Sequence, residues 1–334
     1  MESTFLKGKS ILLISPKFFG YELAVEKKLS QLGADVTFVD DRPNNGLLDK
    51  GLIRIDKRLL KIKIDKYYAK ISSYIAHKEF DIIFLLNPEA LPISFLQTCK
   101  SRWENALCVM YMWDSINNRK HTLEFVPFCN RVFTFDMDDA ARFNFFFKPL
   151  FYLDDYLSIR QGKHAIKYDI SFMGTLHSDR YAIAKEVKDW CSQQGLRCFF
   201  YFFMQSQVLY YFNKLRGKGI SLAKSKVSFA KLSTSEVVEI VASSRVILDI
   251  QHPKQTGLTM RTLETLGAGK KLITTNDKVQ EYDFYQRENV AIINRFNPTH
   301  NLDLSFFLNS TKEVPKQVIM KYYIGSWLLD ILKS

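Results

Sequence analysis

The chain has 334 residues, 47% hydrophobic and 25% charged, a balance that excludes disorder and collagen-like repeats and allows two ordinary domains. Its 47 Lys and Arg against 35 Asp and Glu leave a net +12, which favours phosphorylated ligands, nucleic acid or an anionic membrane surface without choosing among them. Five scattered cysteines with no CxxC pair, and six His with no metal-like spacing, point to a reduced, cytosolic setting and no metal site.

The opening MESTFLKGKS lacks the basic and apolar regions of a signal peptide, and runs such as DIIFLLN are too short to span a membrane, so membrane contact is expected to be peripheral. Ser10–Pro16 is an apolar run of strand length, and Tyr21–Leu32 carries apolar residues at helical spacing up to Gly33. Strands follow at Asp35–Asp40, Asp81–Leu86, Leu107–Met112 and Val132–Phe135, with helices around Asp65–His77 and Ile93–Lys100 between them. Short, wholly apolar strands alternating with helices predict a parallel sheet covered on both faces.

Asp154–Lys167 is polar and lacks a clear period, after which the pattern restarts: strand Tyr168–Met173, helix Arg180–Gln194, strand Cys198–Phe203, helix Ser235–Ala242, then strands Val246–Ile250, Leu272–Thr275 and Val290–Asn294. The expected organisation is therefore α/β, with two facing doubly wound, Rossmann-like domains at residues 1–155 and 156–314. A final amphipathic helix at 315–334 packs on either domain or on a lipid surface.

GAGKK, at Gly267–Lys271, superficially resembles a phosphate loop. A Walker A motif needs glycine where Glu264 stands and Ser or Thr where Lys271 stands, and it needs strand before helix, not the reverse. Gly267 and Gly269 instead read as the helix C-terminal cap, with Lys270 and Lys271 against its negative end. The other end of that helix follows the turn Gln255-Thr256-Gly257, where main-chain N–H groups and the positive end of the dipole suit a diphosphate. Glu264 either accepts hydrogen bonds from ribose hydroxyls or is a solvated partner of Arg261 three residues earlier.

In the second half, Gly174 at a strand end lets a phosphate approach the backbone and Arg180 can pair with it; a plain strand-end turn with a solvated Arg is the alternative. Lys214, Arg216, Lys218, Lys224, Lys226 and Lys231 form a basic stretch that either neutralises a diphosphate or is a solvated loop. In the first half, Phe18-Phe19-Gly20 lacks G-x-G-x-x-G and suits sugar stacking rather than a dinucleotide, with core packing of Phe18 or Phe19 as the alternative. Asp114, just past a strand end, is the leading candidate for a base that takes an acceptor proton, ahead of Glu22 and then Glu89; its alternative role is a helix N-cap.

Taken in order, SFMGTLHSDR, SSRVILDIQHP, QTGLTMRTLETLGAGKKLITTN and YDFY resemble the donor-binding domain of GT-B glycosyltransferases, particularly bacterial capsule and exopolysaccharide enzymes. SPKFFGYE and YMWDS resemble the acceptor domain of the same group. The resemblance implies that Glu264 binds the donor ribose beside Arg261, that Thr256, Gly257 and Leu258 face the diphosphate, and that protein charges replace Mg²⁺, with no cofactor beyond the sugar nucleotide. The pair of acids spaced by seven in retaining members is not matched, because Gln255 and Thr256 occupy the upstream positions. The implied partners are a nucleotide-sugar donor, a glycan or lipid-linked acceptor and an anionic membrane surface. A sugar-nucleotide epimerase of the same fold is the nearest competing function. A nucleic-acid-binding protein is disfavoured, because the lysines are dispersed and carry no binding motif.

Overall fold

A computed structural model of the chain describes residues 4–46, 49, 51, 53, 56–176, 178–215, 224–253 and 255–333. The first half alternates as its apolar runs require: β1 (Ser10–Ser15), α1 (Tyr21–Gln31), β2 (Asp35–Asp40), α2 (Lys61–Ile75), β3 (Ile82–Leu86), α3 (Ile93–Arg102), β4 (Leu107–Met112), β5 (Arg131–Thr134), α4 (Met137–Phe143) and β6 (Phe146–Phe147). All pairings are parallel, in the order β2-β1-β3-β4-β5-β6. β3 is buried along its whole length, as a strand covered on both faces must be.

The second half contains α5 (Asp154–Gln161), β7 (Tyr168–Thr175), α6 (Arg180–Gln193), β8 (Cys198–Phe203), α7 (Gln207–Leu215), α8 (Thr234–Ala242), β9 (Ser244–Asp249), α9 (Met260–Gly267), β10 (Lys271–Thr274), β11 (Val290–Ile292), α10 (Leu304–Leu308) and α11 (Lys316–Lys321). Its sheet is also parallel, in the order β11-β10-β9-β7-β8. The chain thus forms two doubly wound α/β units.

The units divide as Met1–Pro149 with Ile324–Ser334, and Leu150–Tyr323. The boundary expected after residue 155 falls inside α5, whose helical signal is faint because only Tyr156 and Ile159 are buried on it. The single amphipathic helix expected after Pro315 is two. α11 stays with the second unit, where Tyr322 accepts a hydrogen bond from the Tyr152 N–H at 2.8 Å. The last helix, α12 (Ile324–Lys333), belongs to the first unit. There Trp327 packs edge-on against Tyr111 at 4.6 Å, and its indole N–H donates to the Pro149 carbonyl at 2.8 Å, so the ring is buried with its polar atom satisfied. No helix among the described residues is long and apolar enough to cross a membrane.

Candidate functional site

In the second unit the strand order reverses at the β7/β9 pair: β8 lies on one side of β7, while β9, β10 and β11 extend on the other. In doubly wound sheets such a reversal opens a crevice beyond the carboxyl ends of the strands. Arg180, on the first turn of α6, closes the floor of this crevice. Its Nε donates to the Ile250 carbonyl at 2.8 Å and another guanidinium nitrogen to the Thr175 carbonyl at 3.3 Å. Arg180 is therefore a main-chain clamp across two strand ends, not a solvated side chain, and these two bonds leave others of its five N–H groups to offer.

The segment after β9 is fixed from both sides. The Asp249 carboxylate, 5% exposed, accepts hydrogen bonds from the hydroxyls of Thr259 at 2.7 Å and Thr262 at 2.9 Å, which ties the first turn of α9 to the end of its strand. Thr259 is the N-cap, its Oγ1 accepting from the Thr262 N–H. The Asn276 amide donates to the carbonyls of Thr256 at 3.0 Å and Gly257 at 3.4 Å. Because C=O and N–H point oppositely across a trans peptide, holding those carbonyls toward Asn276 turns the N–H groups of Gly257 and Leu258 the other way. Leu258 itself is buried as the anchor of the turn. Arg295 braces the same loop, donating to Asp179 at 2.9 and 3.0 Å and to the Gln251 carbonyl.

Glu264 is 2% exposed, and its Oε2 lies 2.8 Å from an Arg261 guanidinium nitrogen. It is not the solvated member of a surface pair. Tyr156 of α5 lies beside both partners; burial first, and then the charge of Glu264, push its phenol well above the ordinary tyrosine range. Glu264 thus occupies a restrained, largely water-free position one turn into the helix, with Arg261 partly exposed beside it.

The glycines further along settle what GAGKK is. Gly269 adopts φ +66°; its N–H donates to Leu266 and the Lys270 N–H to Thr265, the crossed pair of bonds that ends a helix on a left-handed residue. The expectation for the lysines is overturned: Lys270 donates to the Ala242 carbonyl and Lys271 to the Phe306 carbonyl, both at 2.7 Å. The last carbonyls of α9, on Leu266 and Gly267, are taken by Arg160 from α5. Gly174 has its own packing reason, since a Cβ there would stand 2.6 Å from the ring of Phe172, which fills the space above the strand. Of the basic stretch, Lys214, Lys224, Lys226 and Lys231 are exposed, whereas Arg216 and Lys218 lie outside the described residues.

The first unit reverses its strand order between β1 and β3. After β1, Phe19 and Gly20 both adopt left-handed conformations, at φ +56° and +86°, and Gly20 caps α1. Glu22, 3% exposed, accepts the Phe18 N–H at 2.9 Å, which engages its carboxylate in holding that loop. The ring of Phe18 lies 5.7 Å from that of Trp113, with Phe19 edge-on at 4.8 Å and half exposed.

Beside this aromatic platform, Asp114 is held by three donors: the Ser115 N–H and the Asn118 amide on Oδ1, both at 3.0 Å, and Arg119 Nε on Oδ2 at 3.1 Å. It is not the helix N-cap; Ser115 caps the turn Ile116–Asn118. Arg119 reaches onward to the buried carboxylate of Glu89, which Arg42 grips from the other side through Nε at 2.7 Å. Glu89 is thus a buried counter-ion to two arginines, occupied as a structural charge rather than as a base. The neighbouring Asp41 carboxyl accepts from the N–H groups of Glu89 and Ala90; burial raises its affinity for a proton, against the pull of those N–H groups.

At the level of sequence, no family model and no curated protein matches this chain. Solved structures do. HepE from Anabaena, in complex with UDP and glucose, is 12% identical at a TM-score of 0.58, over 98% of this chain and 100% of its own. A glycosyltransferase from Rickettsia africae gives the same identity and score over 98% and 97%. A UDP-GlcNAc 2-epimerase from Methanocaldococcus jannaschii, in complex with UDP-GlcNAc and UDP, is 10% identical at 0.56, over 97% and 99%. The fold is the GT-B architecture. At these identities the likeness is one of fold, and it is shared by transferases and epimerases alike.

Asp249, Asn276, Arg295, Arg42 and Arg119 were not singled out in the sequence. Asp249, at the end of the strand that leads into the turn before α9, carried a readable signal. Arg119 stands near Asp114 in the chain, but its partner Glu89, like the partners of Arg42, Asn276 and Arg295, is distant in the chain and carried none. Among the described residues no group of three or more His, Cys, Asp and Glu is placed to hold a metal ion.

Proposed function

We propose that the chain is a glycosyltransferase that moves a sugar from a nucleoside-diphosphate sugar to a glycan or lipid-linked acceptor. The observation that carries the reading is the braced turn Thr256–Leu258 at the strand reversal of the second unit, with N-capped α9 behind it and the Arg261–Glu264–Tyr156 trio one turn further on. In this reading the diphosphate meets the N–H groups of Gly257 and Leu258 and the positive end of α9, with Arg180 adding the donors that its main-chain bonds leave over. The ribose hydroxyls meet Glu264, whose two oxygens offer more lone pairs than Arg261 and Tyr156 use. UDP is the first nucleotide to test, because HepE and the epimerase were both solved with it.

The acceptor is assigned to the first unit. A sugar ring stacks on Phe18, Phe19 and Trp113, and Asp114, fixed in place by Arg119, takes the proton from the attacking hydroxyl. Preorganised donors around the departing diphosphate supply the electrostatic part of the rate enhancement. A role in bacterial surface polysaccharide synthesis rests on the sequence resemblance.

The test is a thermal-shift titration against UDP, GDP, CDP and dTDP with and without Mg²⁺, followed by incubation with the sugar conjugate of the nucleotide that binds. A ligand at about 100 times its Kd adds roughly 2.7 kcal/mol of stability. Stabilisation by one nucleotide, with release of that nucleotide and transfer or hydrolysis of the sugar, supports the transferase. Inversion at the sugar C2 with the nucleotide still attached makes it an epimerase, as the fold of the Methanocaldococcus protein allows. No response to any nucleotide rejects the reading.

A further inference from the structure

α2 buries one stripe, Ile64, Tyr68, Ile71 and Ile75, which follows the helical period. At 100° per residue, Ile62, Lys66 and Ser73 fall on the opposite side, away from the core. There Ile62 is 74% exposed, and Leu59, in the turn that leads into the helix, is 62% exposed. Two large aliphatic side chains standing in water within one turn of each other have no packing role. Around them the sequence concentrates charge of one sign: Lys57, Arg58, Lys61, Lys63, Lys66 and Lys70, against Asp56 and Asp65 in the same stretch. Arg58 and Lys61 are paired with those two acids, and Lys63 with Asp49. Lys66 and Lys70 are exposed and have no acidic partner among the described residues.

From this we infer that the outer face of α2 and the turn before it form a docking surface for an anionic lipid bilayer, with Leu59 and Ile62 entering the interface and Lys66 and Lys70 meeting lipid phosphates. A nucleic acid would use the same cations, but aliphatic side chains give it no stacking platform, whereas burial in the acyl boundary gives these two a reason to be exposed. The inference is independent of which reaction the chain catalyses.

The full-length protein is tested by flotation with phosphatidylcholine vesicles prepared with and without phosphatidylglycerol. Binding is expected only to the anionic vesicles and to weaken with salt. Replacing Lys66 and Lys70 by Gln should weaken it about five-fold for each cation removed, and Leu59→Ser with Ile62→Ser by about ten-fold or more. Both positions are exposed, so folding should be unaffected; unchanged thermal melting checks this. In a separate variant, Ile62→Trp, fluorescence should shift to the blue and be quenched by brominated lipid on vesicle binding. Vesicle binding untouched by all these changes, weakening by the lysine changes with none from the Leu59 and Ile62 changes, or binding to RNA in place of vesicles would each overturn the proposal.

Discussion

Replacing Glu264 by Gln separates a ribose ligand from a structural clamp. The side chain is 2% exposed, 2.8 Å from the Arg261 guanidinium, and has the Tyr156 phenol beside it. Gln keeps the shape and one acceptor for Tyr156 but removes the charge beside Arg261. The fold should lose about 1–3 kcal/mol, toward the lower end because Arg261 keeps some access to water. If the carboxylate also receives ribose hydroxyls, a charged hydrogen bond of about 1.5–3 kcal/mol is lost from binding, which is a ten- to hundred-fold rise in Kd. Glu264→Ala, which also strands the Tyr156 hydroxyl, should be worse on both counts. Urea denaturation and calorimetric titration with UDP on the same samples read the two effects separately. A Gln variant that is less stable yet binds UDP as the wild type does would reduce Glu264 to the counter-ion of Arg261.

Asp114→Asn keeps the bond from Arg119 in shape but removes the base, so transfer should fall by about 10²-fold or more while nucleotide binding is unchanged; full activity in a steady-state assay would free Asp114 of that role. Asp169 is held below the usual carboxylate range by its hydrogen bonds from Arg197. Its contribution is present above the ordinary value of 3.8 and is lost as pH falls through the lower folded value. Arg197 is more than half exposed, so that contribution is about 1 kcal/mol or less, and melting curves of Asp169→Asn should show a shallower acid limb than wild type. The Cys198 thiol is pulled down to about 7, first by its hydrogen bond from Cys191 and then by Ser192 and Lys188. Alkylation followed by mass spectrometry should therefore label Cys198 ahead of buried Cys191, with a rate that rises through neutral pH; labelling of Cys191 first would contradict that arrangement.

The main strands were legible because each is a short apolar run bounded by turns, and a parallel sheet buried on both faces permits little else. β6 was missed because a strand of two exposed residues is too short to read as one. α5 was missed because a helix that buries only Tyr156 and Ile159 leaves almost no periodic trace. The candidate turn at Thr256–Leu258 was readable from its place between a strand and a helix, as was the exclusion of a phosphate loop at GAGKK.

The sequence by itself determined the alternation of strand and helix, the two-unit α/β class and the position of the loops that follow the strands, because these depend on period and spacing within a few residues. Only the tertiary structure decided what the charged side chains do. Arg180 reaches Ile250, Arg160 caps a helix more than a hundred residues away, and Arg119 and Arg42 converge on Glu89. A guanidinium or carboxylate taken out of water binds whatever complementary group the fold brings within about 3 Å, and the chain's local pattern carries no record of that partner.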